Sequence, residues 1–353
     1  MNGYVKQLSI FSFNKDFSES ILDHFIHNRL NLRYEPNEKF RFAAEFRNRF
    51  FWGESVRTIP NFSDQLKNQN DQWSLQKAWI NTSSFLAHTS IERLNFQYSQ
   101  PKWNIRLGRQ RINWGMATTW NPNDLFNAYN FLDFDYEERP GIDGARFQYE
   151  LSDLSDIQFV YTKIRGQKDI YAARYFLNKN KIDWQFIGAW YKGRPALGMG
   201  WAGNIGESGF RGEVQQYFKG GGEKAQLNVT TEIDRVFKKG WYANVGMLYN
   251  SNGLNRPLIS FNEANLNLSA ENLMPARWNF ISGIRKEIGS RWNGNYSVVY
   301  SPRMNLLIMI GSLRYELGKN LDLDLIGQSF FAELNSVFQS SRTVFFLRLK
   351  WSY

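Results

Sequence analysis

The chain has no cysteine among its 353 residues, and only nine prolines and three histidines. Without thiols there is no disulfide, thiolate metal site or cysteine nucleophile to consider. His24, His27 and His88 are the only imidazoles, and neither a Gly-x-Ser-x-Gly motif nor a metal-type histidine pair accompanies them. Long apolar runs are missing too: the longest, residues 306–310, is far short of the ~20 residues a spanning helix needs. The first residues lack the charged and then apolar stretches of a secretory signal, so an exported protein is expected here in mature form.

Aromatics are abundant. The 13 Trp, 17 Tyr and 29 Phe make up 17% of the chain, yet mean hydropathy is only −0.51. A transmembrane β-barrel needs this combination, because lipid-facing residues alternate with a polar interior and aromatic girdles mark both interfaces. If the chain spans a membrane, it does so with strands.

Counting in twos separates two faces almost everywhere. Phe40, Phe42, Ala44, Phe46, Phe50 and Trp52 share one face, against Arg41, Glu45, Arg47 and Arg49 on the other. Leu22, Ile26, Leu30, Leu32 and Tyr34 likewise oppose His27, Arg29 and Arg33. Turn-rich joints at 35–38, 99–102, 152–155, 178–181, 204–208, 235–240, 289–291 and 318–320 read as periplasmic turns. Long connections at 53–88, 115–143 and 251–276 read as extracellular loops. The expectation is an all-β fold: one domain, 1–353, forming an antiparallel up-and-down barrel of about 18 strands. The alternative is 16, because residues 73–86 and 163–170 are poorly patterned. A barrel of this size has room for an aqueous lumen.

Residues 342–353 alternate Thr343, Phe345, Leu347, Leu349, Trp351 and Tyr353 against Val344, Phe346, Arg348, Lys350 and Ser352. This resembles the closing strand of a Gram-negative outer-membrane barrel, with Tyr353 in place of the commoner terminal Phe. The resemblance implies that Leu349, Trp351 and Tyr353 form the membrane-insertion signal read by the barrel-assembly machinery.

A second resemblance lies between residues 106 and 144. Gly-Arg-Gln-Arg (108–111) ends in Trp114-Gly, and Asn121-Pro-Asn-Asp-Leu-Phe-Asn and Arg139-Pro-Gly follow. The segment is similar to one in a porin-like outer-membrane family of the Bacteroidetes type, as is Leu273-Met-Pro-Ala-Arg-Trp-Asn. It implies a barrel of porin type in the bacterial outer membrane, without a known solute. Arg109 and Arg111 share the lipid-facing parity of Leu107, so a bulge at Gly108 is expected to turn them inward. The following loop is expected to fold into the lumen as a constriction carrying Trp114, Trp120, Asn121, Asp124, Glu137, Glu138 and Arg139. Its Asn-Pro-Asn-Asp turn is suited to starting a short helix, and arginine–carboxylate pairs are expected to clamp it.

Parity places Arg29, Arg33, Arg41, Arg47, Arg49, Arg93, Arg146, Arg314, Arg348 and Lys350 on a basic lumen wall, continuous where the first and last strands meet, and the expected bulge at Gly108 adds Arg109 and Arg111 to it. Glu213, Glu232, Asp234, Asp322 and Asp324 should line a more acidic side. Such a lumen favours small polar or anionic solutes. The alternative is a plugged accessory barrel in an assembly or secretion complex with other outer-membrane proteins. Despite the net charge of +10, nucleic acid is not an expected partner, because the cations alternate with lipid-facing rows. Lipid and lipopolysaccharide phosphates are the expected partners of basic outer loops. The carboxylates at 133–138 lack the spacing of an EF-hand, so no metal or cofactor is assigned. An enzyme of lipase type would pair His24 with Ser18 or Ser20; no further motif supports this, and no catalytic residue is assigned.

Overall fold

The computed structural model describes residues 1–67, 71–127, 132, 140–260, 263 and 269–353. Its strands are β1 (Asn2–Phe13), β2 (Ser20–Asn37), β3 (Phe40–Gly53), β4 (Gln76–Asn81), β5 (Phe85–Gln100), β6 (Trp103–Gln110), β7 (Ile142–Ser152), β8 (Ser155–Thr162), β9 (Ile170–Lys179) and β10 (Ile182–Tyr191). They continue with β11 (Arg194–Ile205), β12 (Ser208–Tyr217), β13 (Gln226–Phe237), β14 (Trp241–Asn250), β15 (Trp278–Ile288), β16 (Trp292–Ser301), β17 (Leu306–Gly318), β18 (Leu321–Leu334) and β19 (Val337–Ser352). All belong to one antiparallel sheet, which closes where β1 pairs with β19. β4 is a spur: it pairs with residues 86–90 of β5, on the edge that β6 leaves open when it ends at Gln110. The closed wall therefore has 18 strands.

The eight expected joints all fall between strands at one rim, and the three long connections emerge from the other. The connection after β3 holds two short helices, Glu54–Thr58 and Phe62–Gln65, as well as β4. Side chains follow the two-residue period. On β19, Phe345, Leu347, Leu349, Trp351 and Tyr353 are exposed outward, whereas Arg348 is buried inward.

Three local expectations change. The loop after β6 begins at residue 111 rather than 115. The Asn121–Asp124 segment makes a single turn, closed by Asp124 N donating to Asn121 O at 3.1 Å, and starts no helix. Gly108 has φ of 104°, yet its ladder gains no extra residue: Leu107, Gly108 and Arg109 face Ala145, Gly144 and Asp143 in unbroken register. There is thus no bulge to reverse the parity of Arg109.

Closure is reinforced at the last residue. Tyr353 N and O exchange 3.0 Å bonds with Gly3, and its hydroxyl donates to Arg29 O and accepts from Asn28 Nδ2, both at 3.1 Å. The ladder continues across the outer wall: Asn48 Nδ2 donates to Asn28 Oδ1 at 3.0 Å, and Thr89 Oγ1 to Asn48 Oδ1 at 2.8 Å. In lipid such amides persist because they satisfy one another. Tyr353→Phe keeps the terminal aromatic but removes both hydroxyl bonds, a loss of about 1–2 kcal/mol. Heat-modifiable mobility in gels should show insertion unchanged and unfolding at a lower temperature; an unchanged transition contradicts the latch.

Candidate functional site: the lumen

Inward residues of β1–β7 and β19 form a band of cations. Across the seam Lys350 faces Lys6, which faces His27, Arg49 and then His88 in one cross-strand row. One rung toward the short-turn rim, Arg29 faces Arg47. Lower still, Arg41 faces Gln97, which faces Arg106, which faces Arg146. Like charges directly opposite each other destabilise a sheet, so repeating them across neighbouring rungs is costly for the fold.

Local partners temper the repulsion. Lys6 and Lys350 lie 5.1 and 4.7 Å from the Tyr4 ring centre. Arg29 pairs with Glu45, and Arg33 meets Glu35 at 2.7 Å beside Arg41. Arg47 Nε donates to His27 Nε2 at 3.3 Å, and Arg93 Nη1 to Glu92 O at 2.7 Å. Arg314 and Arg348 share Asp324, at 2.8 and 3.1 Å. Arg146 donates to Asn104 Oδ1 at 2.8 Å. Lys6, Arg29, Arg49, Arg93 and Arg348 are at most 8% exposed, whereas Arg33 and Arg41 stand open near the short-turn rim. Lys6, Arg106 and Arg174 were missing from the expected wall. The parity test places Arg106 inward between Ile105 and Leu107, so that signal was available.

Arg109 is locked inside the wall rather than lining the lumen. It donates to Asp143 at 2.9 and 2.8 Å, meets Asp71 at 3.1 Å, and bonds the carbonyls of Ile91 and Trp73. Residues 71–73 cover the pair, with Gln72 and Trp73 N–H groups donating to Asp143 Oδ2. A covering segment solves the parity problem that a bulge was expected to solve. Arg111 is half-buried where the loop begins. Asp71, outside the strands, is pushed up to about 7 by burial, which outweighs the pull of Arg109. A carboxyl raised in the folded state adds stability at low pH and loses it as pH rises toward that value. Between pH 5 and 8 the wild type should lose on the order of 2 kcal/mol relative to Asp71→Asn. Parallel thermal-unfolding curves for the two proteins across that range would contradict it.

The loop after β6 does enter the lumen, but carboxylates clamp its backbone where arginine pairs were expected. Glu213 on β12 accepts N–H bonds from Met116, Ala117 and Asn123 and one from the Asn121 amide. Glu232 on β13 accepts from Thr119 N at 2.8 Å and from Thr118 N and Oγ1. Both glutamates are buried, so they do not serve as an open acidic wall. Asn127 ties the loop ends together: its Nδ2 donates to Pro140 O at 2.6 Å, and its Oδ1 accepts from Ile112 N at 3.4 Å.

Apolar packing completes the seat. Trp114, Leu125 and Phe126 join Ile170, Ile187, Tyr191 and Tyr217 of the inner wall in one cluster. Trp120 joins Leu248, Ile281, Ile308 and Ile310 in a second. Trp114 Nε1 donates to Gln158 Oε1 at 3.1 Å and packs edge-on to Phe126. Asn121 and Asp124 are buried within the seat. Glu137, Glu138 and Arg139, and the carboxylates at 133 and 135, lie outside the described residues.

His24 bonds Ser9 Oγ through Nδ1 at 2.9 Å, not Ser18 or Ser20, and stacks on Trp52. Among the described residues, no hydrogen bond orients its other ring nitrogen.

No protein-family model and no curated protein sequence matches the chain. Solved structures do match over nearly their whole length. Pseudomonas aeruginosa OccK7 (OpdD) aligns with a TM-score of 0.61 at 9% identity, covering 100% of this chain and 98% of that one. Acinetobacter baumannii OccAB4 gives 0.60 at 7%, covering 100% and 97%. A mutant of the Rh. blastica porin gives 0.50 at 10%, covering 100% and 99%. The chain has the fold of the outer-membrane porin-like barrels.

Glu213→Ala with Glu232→Ala would strip the acceptors from five backbone N–H groups of the loop. Each unmet buried group costs about 1–3 kcal/mol. The double variant should become sensitive to protease between residues 111 and 127 while its barrel stays heat-modifiable; continued resistance would argue against the clamp.

Proposed function

We propose that the protein is an outer-membrane channel of porin type, with the short-turn rim in the periplasm, passing small anionic or polar solutes along its basic wall. The observation that carries this reading is the stack of like-charge rungs: Lys6 opposite Lys350, Arg29 opposite Arg47, and Arg106 opposite Arg146. A barrel concerned only with stability would alternate signs on these rungs. An anion moving past them is attracted at each step, and the low-dielectric walls focus that attraction.

The clamped loop sets where the solute runs. Its Trp114, Leu125 and Phe126 cover the inner faces of β8–β12, and its Trp120 joins Leu258, Leu273 and Met274 of the connection after β14 in covering those of β14–β18, leaving the cationic sector opposite. Solutes therefore enter a narrow path with cations on one side. Arg33 and Arg41 stand at its periplasmic mouth, and Lys6, Arg29 and Arg49 at mid-height.

A second reading, a plugged accessory barrel, draws support from the burial of those mid-height cations. Planar-bilayer recording separates the two. The channel reading expects discrete conductance steps with anion preference, and Arg106→Ala with Arg146→Ala shifting the reversal potential toward cations. A silent bilayer with wild type and with the loop-released Glu213→Ala, Glu232→Ala protein would favour the plug.

A further inference from the structure

The outer wall carries a feature that solute passage does not use. In the half of the wall toward the long-loop rim, small residues Ala145, Ala173 and Gly188 form the floor of a trough of about 630 Å³ on β7–β10. A side chain at Gly188 would meet nothing within 4 Å, so the trough is open there. Its upper end is a row of exposed aromatics, Tyr161 facing Tyr171 and Tyr171 facing Trp190. Asp169 in the turn above accepts from the Tyr161 hydroxyl at 3.0 Å and from the Tyr171 hydroxyl at 3.5 Å. Two other troughs, at Ala44 and Gly311, lie toward the opposite rim.

Above this trough the turns are unusually basic. The three turns that join β8 to β9, β10 to β11 and β12 to β13 hold Lys163, Arg165, Lys168, Lys192, Lys219 and Lys224, against only Asp169 and Glu223. Lys163, Lys168, Lys219 and Lys224 form no ion pair among the described residues, and Lys168 lies against the Gly193 turn. We propose that this sector binds a phosphorylated, multi-acyl lipid of the outer leaflet, its acyl chains in the trough and its phosphates on the Lys163–Lys168 and Lys192 turns. An apolar trough ending at an aromatic row, directly under Lys163 and Lys168, which form no ion pair among the described residues, and Lys192, which meets Glu271 at 3.7 Å, matches a ligand whose apolar part lies in the bilayer and whose anionic head lies at its surface. A free phosphate would satisfy the cations and leave the trough empty. The proposal rests on the outer-membrane placement above and is independent of conductance.

Native mass spectrometry of the detergent-purified barrel tests it. The probes are bis-phosphorylated hexa-acyl lipid A, the same lipid without phosphates, and inorganic phosphate alone. Wild type should retain the phosphorylated lipid at least tenfold better than the phosphate-free form, and phosphate alone should not be retained. Lys163→Glu with Lys168→Glu should abolish that preference, whereas Gly188→Phe, which fills the trough, should weaken retention of both lipids. Lys179→Glu with Lys181→Glu, at the opposite rim, should change nothing. Equal retention of the two lipids by heat-modifiable wild-type barrel, or undiminished preference in the Lys163, Lys168 variant, overturns the lipid site. Either result leaves the channel reading to its own electrical test.

Discussion

Inside a bilayer no water is available to a peptide group, so every strand edge must be paired, and everything else in this molecule depends on that closure. The seam is made by β1 and β19, the first and last strands, through an unbroken register from Tyr4 opposite Ser352 to Phe13 opposite Thr343. Tyr353 extends it by one more residue, and its hydroxyl begins a side-chain ladder across β2, β3 and β5. Because the pairing is fixed, so is the facing of each side chain, and a one-residue slip would turn every lysine of the seam into the lipid. The seam that satisfies the backbone is therefore also what brings Lys350 beside Lys6.

Closure of 18 strands leaves an interior too wide for wall side chains to fill, and the long loop after β6 occupies part of it. That loop has many backbone donors and no sheet of its own. Glu213 and Glu232 take up those donors at the wall, while Trp114 and Trp120 anchor it in apolar patches. The acceptor oxygens of the two acids are taken up by N–H groups rather than by arginines, so this loop consumes none of the arginines that oppose one another on β2–β7. Charge segregation in the lumen thus follows from which acids hold the loop.

Much of this was legible in residue order. The outward faces, the eight short turns and the number of wall strands follow from the two-residue period and from Gly, Asn and Ser punctuation, because lipid on one side and polar surface on the other impose alternation strand after strand. Legibility fell where a third environment intervened. Leu306 to Ile310 reads as a solid apolar run because both faces of β17 are dry, one turned outward and one against Trp120 and the Leu258, Leu273 and Met274 side chains of the connection after β14. That run was the sequence signal for the seat of both connections. Asn121-Pro-Asn-Asp looks like a helix start, but the Asn123 N–H is taken by Glu213 and the Asn121 and Asn123 side-chain amides by Glu213 and the Met199 carbonyl, so the wall holds the segment as a single turn. Arg109 was expected to turn inward at Gly108. Its partners, Asp71 and Asp143, are 38 residues before it and 34 after it, a proximity no local pattern contains.

The outer wall follows the same logic from the opposite side. On most strands the lipid-facing rows are apolar and large, so the positions that depart from this rule stand out against a uniform background. The amides of Asn28 and Asn48 are one departure, and their mutual hydrogen bonds account for it. The small residues at Ala145, Ala173 and Gly188 are another, and here no group among the described residues fills the space. In water such a trough would be unremarkable. With the outer-membrane placement proposed above, lipid fills it, and its shape and the charges above it then act on one and the same molecule.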